Sequence, residues 1–213
     1  MQAEHAAAID AVWQRQLPAV KQMMQAWDLQ VATTLPQVEE QFAAMLQDCP
    51  YTDAPESAFG QSFFVCLVYL ALYQVVRDQV DAHTLGAAML EQMRQRTPQF
   101  DARAKGAVTL DLSSPGTHPG EFVAEAVEVE GELGWGLNIK SCAICHQFGR
   151  FDAMDLVPYM CASDDVISDK GGQGLRCSGT IALGAKQCDF RYHPDHTPQR
   201  VAQVFPQQIK FEH

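Results

Sequence analysis

The stretch Gln61-Ser-Phe-Phe-Val-Cys-Leu-Val-Tyr-Leu-Ala-Leu-Tyr-Gln-Val-Val-Arg-Asp-Gln-Val80 decides how the rest of the chain is read. It is apolar nearly all round, with no period-2 alternation, so it reads as a helix enclosed by protein on every side. Its wholly apolar run, residues 63–73, is eleven positions long. That is short of the ~20 needed to span a bilayer. A central core helix therefore requires a shell of other elements around it, and the flanking sequence has to supply them.

Upstream, residues 6–35 place Ile9, Val12, Trp13, Leu17, Val20, Met23, Met24 and Trp27 near a 3.6-residue period, with Pro18 expected to kink or split the helix. Residues 37–46 read as a second, short helix with Pro36 in its first turn. Residues 48–60 form a loop carrying Pro50, Asp53, Pro55 and Gly60. Downstream, residues 84–96 are amphipathic and end on Arg94 and Arg96, which favour the negative end of a helix dipole.

After Pro98 the pattern changes. Residues 108–112 alternate as a strand, and residues 113–120 hold a Pro- and Gly-rich loop. Residues 122–129 and 133–139 read as strands around a turn at Gly131. Helices are expected at 141–149 and 153–163, and a strand pair at 175–183 and 188–192 across residues 184–187. Helices first and strands later, joined by short connections, predict an α+β fold with a largely antiparallel sheet. The expected division is a helical extension at 1–59, an α+β domain at 60–193 and a surface tail at 194–213.

Composition narrows the function. Lys plus Arg number 15 against 26 Asp plus Glu, a formal net charge of −11. Such a surface repels phosphate backbones and anionic lipid, so neither nucleic acid nor membrane is an expected partner. Residues 1–5 carry neither the basic nor the apolar part of a secretory signal, and the expectation is a cytoplasmic protein whose seven cysteines stay reduced.

Five of those cysteines, 142, 145, 161, 177 and 188, fall in the last third of the chain. Cys142 and Cys145 have C-x2-C spacing with His146 next to them, but no second tight pair completes a zinc knuckle, so no cofactor is expected and zinc is the alternative. A thiolate at the start of a helix, near His146, Arg176 or Arg191, is a second possibility. Carboxylates are the third element. Cys161 and Asp164 share a helix face at i, i+3, whereas Cys188 and Asp189 point to opposite faces of a strand.

The run Cys142 … Cys161-Ala-Ser-Asp164 … Arg176-x3-Thr180-Ile-Ala-x-Gly184-x3-Cys188-Asp-Phe-Arg191 resembles the signature of the L-2-amino-thiazoline-4-carboxylic acid hydrolase family over roughly residues 60–193. It also resembles, more distantly, 4-vinyl-reductase-type small-molecule-binding domains. Residues 1–59 and the thiols Cys145 and Cys177 are additions to the family pattern. The resemblance implies hydrolysis of a small cyclic amidine or isothiourea, a thiazoline ring opened by water to N-carbamoyl-cysteine. It implies catalytic roles for Cys142, Cys161, Asp164 and Cys188, and substrate contacts from Arg176, Thr180 and Asp189. Asp164 would hold the amidinium and Arg176 the substrate carboxylate, with Cys142, Cys161 and Cys188 unranked as nucleophiles. The alternatives are a non-catalytic small-molecule or zinc-binding sensor, or a Cys142–Cys145 redox sensor, with the N-terminal helices serving a homodimer or another partner.

Overall fold

A computed structural model describes residues 3–47, 49, 57–99, 116, 120–131 and 133–201. Among them are six α-helices and a four-stranded antiparallel sheet, an α+β fold. The strand expected at 108–112 lies outside the described residues.

Helix α1 (Ala3–Ala26) runs straight through Pro18. Val12, Trp13, Ala19 and Val20, buried on both sides of the proline, hold the helix while Pro18 itself faces solvent. The break comes later, at Asp28, whose φ of 56° is a left-handed conformation that Asp tolerates. There the amide of Leu29 returns to the Met24 carbonyl at 2.9 Å. Helix α2 (Val31–Gln47) consequently starts earlier than expected. The Gln30 carbonyl accepts from the amides of Thr33 and Thr34, closing the first turn before Pro36 is reached.

Helix α3 (Ala58–Val76) is the central element. Ser57 caps it, its side-chain oxygen accepting from the Gly60 amide at 2.9 Å. By length and composition its 19 residues could cross a bilayer, but here protein covers its apolar residues, from Phe63 and Phe64 to Leu72 and Val76. Helix α4 (Ala82–Arg96) is capped by Asp81, which accepts from the Thr84 amide at 2.7 Å. That capping bond holds the Asp81 carboxyl below its ordinary value.

The sheet has the order β1-β2-β4-β3, with β1 (Val123–Val127), β2 (Trp135–Ser141), β3 (Arg176–Cys177) and β4 (Cys188–Tyr192). Period-2 alternation turns Leu137, Ile139, Cys188, Phe190 and Tyr192 toward the helices. The other face carries a polar network. Lys140 pairs with Glu125 at 2.7 Å, and Arg191 donates to Asn138 at 2.7 Å.

In the sheet, β3 and its connection to β4 differ from expectation. Strand β3 is only two residues long, because Asp189 captures the amides of Ser178 and Gly179 at 2.8 and 3.1 Å and turns the chain out of the ladder. The connection to β4 is then a loop with a 3-10 turn at Ile181–Leu183 instead of a tight hairpin. The edge that β3 leaves open is covered by the chain after Pro198, since Gln199 exchanges backbone bonds with Leu175 and Cys177.

Helix α5 (Ala143–Arg150) follows β2 directly, and α6 (Val157–Gly171) follows a 3-10 turn at Met154–Leu156. Helix α6 runs well past Ser163, and Gly172 ends it at φ 60°. Buried apolar side chains from Ile9 to Val201 form one cluster.

Candidate functional site

Between the inner face of the sheet and the helices lies a cavity of about 490 Å³. Each wall follows from the local period of its element. From α6 come Met160, Ser163, Asp164 and Ile167, the i, i+3, i+4, i+7 stripe of one helix face. From α3 come Phe59, Ser62, Val65 and Cys66, and from α4 Met89 and Met93, one turn apart. Alternate residues of the strands close the opposite side: Trp135, Leu137 and Ile139 from β2, Phe190 and Tyr192 from β4. Trp135 and Tyr192 face each other across the ladder and stack at 3.9 Å, 11° from parallel. Helix α1 adds Arg15 and Gln16.

Asp164 is the acidic residue on this lining. Among the described residues no hydrogen-bond donor reaches its carboxylate, and the cavity it faces is mostly apolar. Burial, with a smaller contribution from the neighbouring Asp165 charge, raises its pKa from 3.8 to about 7. The contrast with Asp165 is instructive, because that carboxylate points away and accepts from the Val201 amide at 2.9 Å.

The thiols form a cluster beside Asp164. Cys161 lies within electrostatic reach of Cys142, Cys188, Asp164 and Cys66, and Cys188 within reach of Cys142 and Asp164. Of the four, Cys66 is the one on the cavity lining. Burial pushes the thiols of Cys66 and Cys161 well up and that of Cys188 to about 12. Cys142, the residue before the first turn of α5, is raised by its hydrogen bond with the Cys145 thiol and then by burial. The Ile181 amide donates to Cys188 Sγ at 3.3 Å, which only partly offsets burial there.

The structure thus brings Cys142, Cys161, Asp164 and Cys188 into one neighbourhood, and it puts the remaining candidates elsewhere. Arg176 is exposed at the sheet edge, its Nε donating to the Thr197 carbonyl at 3.0 Å, and does not line the cavity. Asp189 sits on the outer face, accepting from the Ser178 hydroxyl and amide and from the Gly179 amide. Burial raises its carboxyl, but those hydrogen bonds outweigh it and hold the pKa below the ordinary value. Thr180 is buried, its carbonyl closing the 3-10 turn and its hydroxyl without a partner among the described residues. As for zinc, no group of three or more His, Cys, Asp or Glu side chains among the described residues converges as a metal-binding set.

The family model of L-2-amino-thiazoline-4-carboxylic acid hydrolase matches residues 39–192. The chain belongs to that family. Its hydrolase-like function follows from this membership. No curated protein and no solved structure matches the chain. The segment matched by the hydrolase family contains Asp164, the thiol cluster and every cavity-lining residue except Arg15 and Gln16.

Four lining residues, Cys66, Trp135, Tyr192 and Arg15, were not visible as site residues in the sequence. Cys66 reads as a buried small apolar residue, yet Gln61 and Ser62 interrupt the apolar surface of α3 one turn before it, a sign that this face meets something other than core. Trp135 and Tyr192 follow from strand alternation once the inner face is known. For Arg15 no sequence signal exists, since the polar face of α1 is uniformly polar.

Proposed function

We propose that this protein hydrolyses a small cyclic amidine or isothiourea, with Asp164 as the general base and water as the nucleophile. The observation that carries the reading is the solitary carboxyl on an apolar wall, raised to about 7. A base with its pKa near neutrality combines a useful ionised fraction with useful basicity. The thiols do not offer this. With Cys188 at about 12, only about one molecule in 100,000 holds that thiolate at pH 7.

For a thiazoline the steps balance simply. Asp164 takes a proton as water adds to the carbon between nitrogen and sulfur. The carbon–sulfur bond then breaks, the sulfur leaves with the proton held by Asp164, the new hydroxyl gives up its proton to solvent as its oxygen becomes the carbonyl, and a carbamoyl group and a free thiol result. No oxidant or reductant is involved. The mostly apolar walls keep the carboxylate poorly solvated. The same chemistry suits a cytoplasmic setting, where the product thiol stays reduced.

The test is incubation with 2-amino-thiazoline-4-carboxylate and titration of the thiol released. Asp164→Asn should lower kcat by about 100-fold or more, whereas Cys66→Ser and Cys188→Ser should each stay within about fivefold of the parent. Loss of turnover in Cys161→Ser or Cys188→Ser with Asp164→Asn still active would replace the water mechanism by a thiol nucleophile. Ligand that binds and is recovered unchanged would point to a binding module.

A further inference from the structure

The cavity has two charged lining residues of opposite sign, Asp164 on α6 and Arg15 on α1. Arg15 is unusual in its partners. Its Nη2 donates to the neutral Gln61 Oε1 at 2.7 Å, and among the described residues no carboxylate pairs with it. In a chain with 26 acidic residues against 15 basic ones, an acidic partner would be easy to supply. A second guanidinium lies alongside: Arg96 donates to the Arg15 carbonyl and, at 3.4 Å, to Gln16 Oε1. Arg15 is exposed to solvent and Arg96 lies off the cavity lining, so with the side chains of Gln16 and Gln61 they form a cationic, hydrogen-bonding group on the solvent side of a mostly apolar space. A guanidinium carries five N–H donors in a planar fork, and the bond to Gln61 uses one while fixing its orientation. The remainder match a carboxylate in bidentate geometry.

From this geometry we infer that Arg15 binds an anionic group of the ligand, a carboxylate, and selects acids over their neutral counterparts. The inference rests on the cavity being the substrate site, as in the function proposed above. What it adds is the residue that holds the carboxylate of the substrate proposed above. Asp164 repels the carboxylate and Arg15 repels the amidinium, so the two charges fix which way the ligand lies. Arg176, exposed on the sheet edge, has no access to that role. Arg15 also lies outside residues 39–192, so the anchor comes from a helix that the family match does not include.

Binding calorimetry on the full chain tests this without turnover, using 2-amino-thiazoline-4-carboxylate against its carboxamide, and 4-carboxybenzamidine against benzamidine. The wild type should bind each acid about ten- to a hundredfold tighter than its neutral partner, the range expected for a charge-assisted hydrogen-bonded pair. Arg15→Gln should abolish that preference while leaving the neutral ligands within about twofold, and Arg15→Lys should retain part of it. An acid preference intact in Arg15→Gln, or a wild type that binds acid and neutral forms alike or neither, overturns the inference. The two readings fail separately. An Arg15-dependent preference without ring opening keeps the anchor and removes the hydrolysis, while ring opening at unchanged KM in Arg15→Gln does the reverse.

Discussion

At the scale of single residues, Asp164 couples function to stability in a way that has a definite sign. Its pKa is about 7 in the folded chain against 3.8 for an ordinary aspartate, so between those values the native state holds the proton more tightly than the unfolded state. Stability therefore falls as pH rises from 4 to 7, and above 7 the full cost of an ionised carboxyl in an apolar wall is present. Asp164→Asn removes that cost. The variant should be more stable than the parent at pH 8 by about 2 kcal/mol, below the ~4 kcal/mol that linkage alone allows because water entering the cavity screens the charge. At pH 4 the gain should vanish. Urea melts at the two pH values check it, and a variant no more stable at pH 8 would mean Asp164 is better solvated than its surroundings suggest. Activity should run in the opposite sense, rising through pH 7 as the base ionises, so that the same substitution stabilises the fold and stops the chemistry.

Among the elements, α6 decides where Asp164 points, and α4 decides where α6 sits. Gly86 makes the contact possible: a Cβ at this position would lie 2.1 Å from the Tyr159 ring. That ring cannot easily give way, because it is buried and its hydroxyl is hydrogen-bonded to His83 Nδ1 at 2.7 Å. Gly86→Ala should cost about 1–3 kcal/mol as an overpacking substitution. It should also lower kcat/KM with 2-amino-thiazoline-4-carboxylate by displacing the Met160-to-Ile167 stripe, which a melt and a progress curve together would show. The lengths of these helices were only partly legible in the sequence. Helices α3 and α4 follow from their own apolar pattern and caps, with Ser57 and Asp81 in place. Helix α6 does not, because the acidic pair Asp164-Asp165 directly after Ser163 reads as its end. It continues because Asp165 and Ser168 accept the amides of Val201 and Leu175, partners supplied by chain that comes later. The same limit applies to the site. The i, i+3 relation of Cys161 and Asp164 put them on neighbouring lines of one helix, but which line faces the cavity depends on how α6 lies against α4 and β4.

The molecule as a whole joins α1, which lies outside the matched segment 39–192, to that segment through one set of buried side chains, from Val12 and Trp13 of α1 through Leu67 and Leu70 of α3 to Phe190 of β4. The match itself begins within α2, earlier than the residue 60 expected from the sequence. Trp13 stacks on Phe42 of α2 at 5.3 Å, and Tyr69 of α3 donates to Gln16 of α1 at 3.1 Å. Because α1, α2 and α3 bury apolar side chains in one cluster, local unfolding of α1 or α2 exposes the apolar face of α3 as well. The expected behaviour is one cooperative transition. Variants that keep either Trp13 or Trp135 as the sole tryptophan report from α1 and from β2, and their urea midpoints should coincide. A ligand in the cavity gives the sharper form of the prediction, since α1, α3, α4, α6 and the sheet all contribute to its walls. Bound at about 100 times its Kd, it should stabilise the folded state by about 2.7 kcal/mol and move both midpoints together. If the Trp13 midpoint stayed fixed while that of Trp135 moved, α1 would be folding apart from the site, and Arg15 with it.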